Sequence, residues 1–397
     1  MRVLFVVPVL PFPPRSGVTL RMFHLVRLLA RRHEVSILGF DNGDTAAIDQ
    51  LSRFCAHIYT VPATPVGRRG RRGAQLASLL SRTSFQGRVL RSVALQDRLD
   101  ALCDETRFDV IQVETSPLAA ALRFKPGWRM VLDTHDITYE LLGSMARTDR
   151  SPLRRFFNHV EHKKFMREEV AVWRRMSAVV TTSSREARTV GAAAPDTSVV
   201  AAANGVDVDY FQASDVPVDP GSIVMTGLMK TRPNADAVSF FAREVLPRIS
   251  AVRPGVTFNI VGGEPPAEVR RLAAPNVVVT GEVADVRPYV HAAAAVVVPM
   301  RMGGGTRLKV LEALAMRKPV VSTALGCEGL DVVNGEHLIV ADEPAAFAES
   351  VLRVLSDRRL ADRLGAQGYA LARQSYRWEP IADTLESLWK ALGSDAR

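Results

Sequence analysis

Short runs of β-branched and other apolar residues alternate with amphipathic segments along the whole chain, and no other feature restricts the fold as much. At the start, the apolar run Val3 to Val7 is followed by a Pro/Gly loop that ends at Gly17. A segment with leucines at helical spacing, Thr19 to Arg32, then leads to a second apolar run, Val35 to Leu38. A strand, a helix and a strand in this order form a βαβ unit, which requires a parallel sheet. The chain is therefore expected to be an α/β protein.

This alternation occurs in two series, with helices such as Asp236 to Ile249 between the strands. Further strands of the first series are expected at Ile58 to Val61, Val110 to Val113, Met130 to Asp133, Ala178 to Thr182 and Val199 to Ala202. Strands of the second series are expected at Ile223 to Thr226, Thr257 to Val261, Val277 to Thr280, Ala295 to Pro299, Pro319 to Ser322 and His337 to Val340. The aperiodic stretch Asp207 to Pro220 predicts a connector between them.

We therefore expect two doubly wound, Rossmann-like domains, residues 1–203 and 204–377, facing across a cleft. A last helical segment, 378–397, carries an apolar stripe and is expected to pack back on the first domain. Ligands of open α/β sheets bind beyond the carboxyl ends of the strands. The functional residues are therefore sought in the loops that follow strands.

The charge balance points to phosphate-bearing partners. Lys and Arg number 51 against 42 Asp and Glu, a formal net charge of +9 that attracts anionic ligands and surfaces. The three cysteines, Cys55, Cys103 and Cys327, have no CxxC spacing, which argues against a disulfide framework or a zinc site and favours a cytoplasmic location. Prolines interrupt the apolar start, so we expect a buried strand there rather than a signal peptide, and no apolar run of about 18 residues predicts a transmembrane helix.

The segment Val66 to Arg91 is both basic and amphipathic. Seven arginines (Arg68, Arg69, Arg71, Arg72, Arg82, Arg88 and Arg91) alternate there with leucines, Phe85 and Val89. Two interpretations stay open: a surface that adheres to anionic lipid on the inner face of a membrane, or a solvated loop and helix. Nucleic acid is not an expected partner, because no helix-turn-helix, zinc-finger or RNP pattern accompanies the charge.

The most informative stretch is a glycine turn before a helix, with Gly303, Gly304 and Gly305 followed by Thr306 and an apolar run. Glycines let a ligand approach the backbone closely, and a helix N-terminus attracts phosphate. Arg307 and Lys309 add positive charge beside the turn. Glu312 lies one to two turns further on, where a carboxylate accepts hydrogen bonds from the vicinal hydroxyls of a ribose. The stretch therefore predicts a site for a nucleoside diphosphate.

Several sequence segments, taken together, resemble those of one family. They are 305–321, Asn204 to Asp207, Ile260 to Gly263, Gly281 to Asp285 and Tyr376 to Glu379. They are similar to the retaining glycosyltransferases of GT-B fold that share a Glu-x7-Glu motif, known as family 4 or group 1. The resemblance implies a metal-independent hexosyl- or glycosyltransferase without a cofactor. It would take a nucleotide-sugar donor on the second domain and a hydroxyl acceptor on the first.

The resemblance also implies roles for single residues. Glu312 matches the second glutamate of the motif, which binds the donor ribose, and Gly262 belongs to a donor-side glycine phrase. The first glutamate would stand eight residues before Glu312, where this chain has Gly304. Backbone N–H groups of Gly304, Gly305 and Thr306 are expected to replace its contact with the transferred sugar.

Five further positions are expected to serve the reaction. Lys230 and Arg232 follow the second domain's first strand and are expected to replace the Arg and Lys with which the family binds the diphosphate. His135 resembles the histidine that these enzymes hold near the donor sugar, and Gly17 matches a glycine loop that approaches the donor phosphate or the acceptor. Glu114, after an apolar strand, is an acceptor-side candidate.

No metal is expected. Asp207 and Asp209 form a DxD pattern, but they lie in the connector and lack the context of the other glycosyltransferase fold that uses it.

The expected function is sugar transfer with retention, in the biosynthesis of a cell-envelope polysaccharide or glycolipid, with an acceptor that a lipid carrier presents. A nucleotide-sugar epimerase of the same fold and a non-catalytic sugar- or membrane-binding protein remain alternatives. Analysis of the product formed from donor alone separates the enzymes, because an epimerase leaves the altered sugar on the nucleotide. A nicotinamide dehydrogenase is disfavoured, because no GxGxxG follows the first strand.

Overall fold

The computed structural model describes residues 1–41, 43–63, 68–148 and 151–394. The chain divides into two compact units. The first unit comprises Met1–Ala203 together with Glu379–Arg397, and the second comprises Asn204–Trp378. Each described unit contains one parallel sheet with helices, so the predicted α/β fold class is confirmed.

The sheet of the first unit has seven parallel strands in the order β3-β2-β1-β4-β5-β6-β7. Their bounds are β1 (Arg2–Val7), β2 (Glu34–Asp41), β3 (His57–Pro62), β4 (Val110–Glu114), β5 (Met130–Asp133), β6 (Ala178–Thr181) and β7 (Ser198–Ala201). Every strand predicted for this series is present. The central strand β1 is fully buried from Val3 to Val7. A continuous apolar run is what a strand covered on both faces requires.

Nine helices of the first unit connect these strands in the described ranges. They are α1 (Gly17–Leu29), α2 (Thr45–Leu51), α3 (Arg68–Leu79), α4 (Phe85–Val89), α5 (Val93–Glu105), α6 (Ser116–Ala121), α7 (Thr138–Thr148), α8 (Pro152–Trp173) and α9 (Ser184–Ala193). In the basic segment, Val66, Gly67 and the side chains of Arg68, Arg69, Arg71 and Arg72 lie outside the described residues, whereas Arg82, Arg88 and Arg91 are exposed.

The sheet of the second unit has six parallel strands in the order β10-β9-β8-β11-β12-β13. Their bounds are β8 (Asp219–Thr226), β9 (Thr257–Val261), β10 (Val277–Gly281), β11 (Ala293–Val298), β12 (Val320–Ser322) and β13 (Ile339–Val340). All six strands predicted for this series are present. The helices are α10 (Arg232–Phe240), α11 (Leu246–Val252), α12 (Ala267–Arg270), α13 (Arg287–Ala292), α14 (Leu308–Ala315), α15 (Pro344–Ser356) and α16 (Arg358–Ser375), with a 3₁₀ turn at Leu325–Cys327.

The helix predicted from Asp236 to Ile249 is interrupted. Between α10 and α11 the residues Phe241–Val245 form a π turn, and Pro247 follows in the first turn of α11. Proline lacks the N–H that the helical ladder needs, so the hydrogen-bond register widens before it. The predicted segment is therefore helical throughout but not one α-helix.

The last helix, α17 (Trp378–Ser394), packs on the first unit's sheet. The ring of Trp389 meets Phe5 of β1 edge to face, with centroids 5.9 Å apart, and Arg32 forms an ion pair of 2.7 Å with Asp383. Trp389 is fully buried. Within the described ranges no helix has the length and apolar character that crossing a bilayer requires.

Each sheet has a point where the strand order reverses direction. In the first unit it lies between β1 and β4, and in the second between β8 and β11. A crevice forms at the carboxyl ends of the strands at such a point, which is where open α/β sheets bind ligands. The loops after these four strands therefore define two candidate sites, one in each unit.

Candidate active-site residues in the two units

The glycine turn of the second unit follows β11 at the reversal point. Gly303 and Gly305 have φ values of 143° and 66°, which side chains with a Cβ rarely adopt. The predicted helix therefore begins only at Leu308, and the residues before it form a turn. Arg307 closes this turn, because its Nη1 donates to the carbonyl oxygens of Gly304 and of Gly305, the latter at 2.8 Å. Arg307 thus shapes the turn, and its expected role as a ligand of the nucleotide-sugar stays a prediction.

The turn presents backbone N–H groups next to a helix N-terminus. Arg307 precedes α14 without a side-chain cap. Within the part of the chain that the structure describes, no hydrogen bond uses the backbone N–H of Gly305, Thr306 or Leu308. The hydroxyl of Thr306 is occupied, since it accepts from Nδ2 of Asn204 over 2.6 Å. N–H groups of this kind, at a helix N-terminus, are the donors from which an anion accepts hydrogen bonds.

Lys309 is directed toward the loop after β8. Its Nζ donates to Oδ1 of Asn234 over 2.7 Å, and Nδ2 of Asn234 donates to the carbonyl of Leu228 over 3.0 Å. A Cβ at Gly227 would lie 2.8 Å from this Nζ, and the φ of Gly227 is 150°, which residues with a Cβ rarely adopt. Asn234 was missed by the sequence analysis. Its one signal was an amide side chain in the phrase that follows β8.

Burial shifts the two charged groups of α14 toward neutrality. The pKa of Lys309 is lowered to about 7 by burial, and the charge of Arg307 lowers it further. Burial raises the pKa of Glu312 to about 7, against the opposing effect of Lys309. Both side chains are half-buried. A phosphate near Lys309 would favour its charged form, which is the pattern expected of a site that gains an anion.

Gly262 brings the loops after β8 and β9 into direct contact. Its φ is 147°, and a Cβ there would lie 2.8 Å from the carbonyl carbon of Gly227 and closer still to its oxygen. The N–H of Gly227 donates to Val261 over 3.0 Å, and the N–H of Gly262 donates to Gly281 over 3.1 Å. The structure therefore gives Gly262 a packing role behind the loop that faces Lys309.

The two cations predicted after β8 differ in environment. Lys230 is exposed and forms a 2.6 Å ion pair with Glu264. Exposed pairs of this kind add little stability, so a diphosphate can compete with the glutamate. Arg232 is the first residue of α10 and is half-buried.

In the first unit, Glu114 ends β4 and His135 follows β5. Nε2 of His135 lies 2.6 Å from Oε2 of Glu114. Next to them, Asp133 accepts a 2.8 Å hydrogen bond from Nε of Arg21, whose Nη1 donates to the carbonyl of Ala203 over 2.8 Å. Exposure is 8% for His135, 1% for Glu114 and zero for Asp133 and Arg21. Glu114, for which an acceptor-side position is expected, is therefore buried and paired with His135.

The surroundings of this cluster raise the pKa values of Glu114 and His135. Burial raises the pKa of Glu114. Burial lowers the pKa of His135, but Asp133 and Glu114 outweigh that effect, so it is raised overall. Glu114, Asp133 and His135 offer atoms within 4.8 Å of one another, a spacing that a metal ion can bridge. The guanidinium of Arg21 already neutralises Asp133, which makes the set a poorer cation site than its spacing suggests.

Gly17 is the first residue of α1 and is exposed. Ser16 caps this helix by accepting from the N–H of Thr19, and the hydroxyl of Thr19 accepts from the N–H of Ser16 over 2.9 Å. The Pro-rich loop after β1 thus ends at an ordered helix N-terminus at the reversal point of the sheet.

Comparisons with known proteins agree with this arrangement. Residues 15–210 match the model of "Glycosyltransferase Family 4", and residues 220–357 match that of "Glycosyl transferases group 1". Together these matches span most of the chain, which therefore belongs to the family 4, group 1 glycosyltransferases of GT-B fold.

Solved structures with the same fold are distant in sequence. Sucrose-phosphate synthase from Thermosynechococcus elongatus superposes with a TM-score of 0.76 over 100% of both chains at 17% identity. HepE from Anabaena, in complex with UDP-glucose, superposes with a TM-score of 0.69 at 16% identity, over 98% of this chain and 100% of the other. A Klebsiella pneumoniae protein described as an "uncharacterized 44.6 kDa protein in cps region" is 28% identical over 78 residues, and the chain spans only 20% of its length.

Proposed function

We propose that the protein transfers a sugar, with retention, from a nucleotide-diphosphate sugar to a hydroxyl acceptor. The observation that carries this proposal lies in the second unit, on the turn and helix that follow β11 at the reversal point between β8 and β11. Lys309 and Glu312 stand there beside backbone N–H groups that form no hydrogen bond among the described residues. These are the groups that a diphosphate followed by a ribose requires. The UDP-glucose complex of HepE supports UDP as the nucleotide to test first.

In this proposal the second unit holds the donor. The N–H groups of Gly305, Thr306 and Leu308 receive the diphosphate, and Lys309, with Lys230 and Arg232, balances its charge. The carboxylate of Glu312 accepts from the ribose hydroxyls. Because protein groups neutralise the leaving diphosphate, the proposal needs neither a metal nor a cofactor. Turnover that EDTA abolishes and added Mg²⁺ restores would contradict that part.

The reaction itself rests on positioning. The acceptor hydroxyl attacks the anomeric carbon on the face from which the diphosphate leaves, and a leaving-group oxygen takes its proton. The enzyme holds the reactants together and supports the departing charge. His135 of the first unit is the proposed contact to the donor sugar. Because Gly304 stands at the first glutamate's position, its backbone N–H takes over that glutamate's contact with the transferred sugar.

A donor screen tests the proposal. Thermal unfolding of the full chain is measured with UDP-, GDP- and ADP-sugars, because a ligand that binds only the folded state raises its stability. The donors that bind are then incubated with the protein, and the products are analysed by mass spectrometry and NMR. Free nucleotide and a retained glycoside support the proposal. An altered sugar still attached to the nucleotide would establish the epimerase instead.

Lys309 gives a pH prediction. Its pKa of about 7 in the free protein means that it is mostly neutral at pH 8, and a bound diphosphate raises that pKa. UDP binding at pH 8 should therefore take up close to one proton, and affinity should fall as the pH rises above 7. Calorimetry in two buffers of different ionisation enthalpy measures the uptake. Lys309→Arg, which stays charged, should remove it; equal heats for the wild type in both buffers would contradict the assignment.

One surface of the first unit supports a membrane-presented acceptor. Helices α3 and α8 are joined there by the hydroxyl of Ser78, which donates to Oε1 of Glu161 over 3.0 Å. Leu80, Leu153 and Phe156, on or beside these helices, are 94%, 83% and 62% exposed. Among the side chains that the structure describes, the arginines exposed in the same two segments are Arg82, Arg88, Arg91, Arg154, Arg155 and Arg167.

The nearby carboxylates point inward, so this surface stays positive. No Asp or Glu occurs between Asp49 and Asp97. Glu161 accepts from the N–H of Phe85 over 2.6 Å, and Glu168 accepts from the N–H of Ser84 over 2.7 Å. We infer that exposed leucine, phenylalanine and arginine side chains dock on the anionic inner leaflet, where a lipid-linked acceptor is presented. The capsule-region relative supports an envelope polysaccharide as the product.

Vesicle binding should depend on these apolar side chains. The double variant Leu80→Glu/Phe156→Glu should bind phosphatidylglycerol vesicles at least about tenfold more weakly, since each buried side chain contributes about 1.5–3 kcal/mol. Flotation with phosphatidylglycerol and with phosphatidylcholine vesicles measures it. Val252→Glu, at a 71% exposed position of the second unit, is the matched control. Equal wild-type binding to both lipids, or equal loss in the control, would contradict the surface.

A further inference from the structure

A buried chain of hydrogen bonds connects the last helix to His135. Nε1 of Trp389, on α17, donates to Oε1 of Gln112 over 3.1 Å. Nε2 of Gln112 donates to Oε1 of Glu114 over 2.8 Å, and Oε2 of Glu114 lies 2.6 Å from Nε2 of His135. Trp389 and Gln112 are fully buried, and Glu114 is 1% exposed. The links all lie within the first unit.

The chemistry of each group gives this chain a direction. An indole N–H can only donate, so it fixes the oxygen of Gln112 toward α17. The amide nitrogen of Gln112 then faces Glu114 and can only donate. The carboxylate of Glu114 is left with one oxygen for His135, and this oxygen accepts a hydrogen bond there. Nε2 is consequently the protonated nitrogen of the imidazole, and its partner fixes the tautomer.

The other ring nitrogen is the one left for a ligand. Among the described residues, no hydrogen bond is formed by Nδ1 of His135. The backbone of His135 is unusual as well, since its φ of 59° lies in the left-handed region that residues with a Cβ rarely adopt. In the neutral ring Nδ1 accepts a hydrogen bond, and in the imidazolium it donates one.

We propose that Glu114 is a positioning residue, which fixes the tautomer of His135 so that Nδ1 faces the bound sugar, and that Trp389 and Gln112 hold Glu114 in this orientation. The proposal rests on the proposed function, in which His135 contacts the donor sugar. It explains why a glutamate at the end of β4 is buried although the sequence suggested an acceptor-side role. It also gives α17 a part in the site besides its packing on the sheet.

The first test needs no substrate. Long-range ¹⁵N NMR of the imidazole nitrogens reports the tautomer and the pKa, and His135→Gln identifies the signals of His135 among the eight histidines. In the wild type, Nε2 should carry the proton. Glu114→Gln replaces the carboxylate by an amide of the same shape, so the preference for Nε2–H should weaken and the pKa of His135 should fall by about one unit or more. Trp389→Phe removes the N–H donor together with part of the fused ring, leaves Glu114 itself unchanged, and should move the signals in the same direction, by less.

The second test is kinetic and uses whichever donor the screen identifies. Glu114→Gln should lower kcat about tenfold or more with little change in the donor KM, and its pH profile should shift to lower pH. In the double variant with His135→Gln, the second change should add no further loss. Additive losses, or a His135 tautomer that Glu114→Gln leaves unchanged, would overturn the proposal.

Two outcomes distinguish a failure of this proposal from a failure of the proposed function. If no nucleotide-sugar is bound or consumed, the proposed function fails, but the NMR spectra still decide what Glu114 does to His135. If added Zn²⁺ or Mn²⁺ shifts or broadens the His135 signals at equimolar concentration, the cluster is a metal site and the proposal is overturned. Should Glu114→Gln not fold, the signals of Trp389→Phe decide, because that variant leaves the carboxylate in place.

Discussion

Replacing Glu312 by Gln should weaken UDP binding by about 100-fold while leaving the unliganded protein at least as stable. Hydrogen bonds to a charged group contribute about 1.5–3 kcal/mol each, and two ribose hydroxyls bind the carboxylate in the proposed site. Burial already raises the pKa of Glu312 to about 7, so the charge itself is a cost to the fold that the amide removes. Calorimetric titration and thermal unfolding of the full chain measure the two effects.

A substrate analogue makes this test specific for the ribose. The wild type should bind 2′,3′-dideoxy-UDP far more weakly than UDP, whereas Glu312→Gln should bind the two with similar affinity. Glu349→Gln, at an exposed position of α15, is the matched control and should behave as the wild type. If Glu312→Gln still discriminates between the two nucleotides as the wild type does, the carboxylate does not contact the ribose.

The strands were predictable because burial on both faces leaves a direct mark in the sequence. Runs such as Val3 to Val7 and Thr257 to Val261 are apolar enough to be recognised alone, and they match β1 and β9 closely. The helix at 236–249 was located, but not its π turn, because the effect of Pro247 on the ladder depends on tertiary packing. The glycine turn before α14 was expected, but its shape was not, since glycines at a helix entrance do not reveal their φ values.

For the site residues, the sequence predicted positions along the chain but not side-chain contacts. Sequence spacing placed Lys309 and Glu312 on one helix, but it could not tell that the guanidinium of Arg307 turns back onto the carbonyls of its own turn. It also could not pair Glu114 with His135, which are 21 residues apart and meet only because β4 and β5 are neighbours in register. Such contacts depend on strand order and side-chain direction, neither of which a single sequence encodes locally.

Gly262→Ala should be among the most disruptive single-methyl changes in the second unit. A Cβ at this position meets the backbone of Gly227, which cannot rotate away as a side chain can. The strained φ of 147° adds about 1–2 kcal/mol, and displacing the packed loop adds about 1–3 kcal/mol. The loop after β8 would have to move, and Lys309 and Asn234, which lie against it, would move with it. Both stability and donor affinity should therefore fall.

Gly255→Ala separates strain from overlap. Gly255 also has a positive φ, 86°, but a Cβ there would have nothing within 4 Å, so the control carries only the conformational cost. At about 2–4 °C per kcal/mol for a unit of this size, Gly262→Ala should unfold several degrees below Gly255→Ala. Hydrogen exchange should locate the difference in the loops around Gly227 and Gly262, and UDP affinity should fall only in Gly262→Ala. Equal unfolding temperatures and equal affinities in the two variants would mean that the loops after β8 and β9 are not held together as described, and that the position of Lys309 does not depend on them.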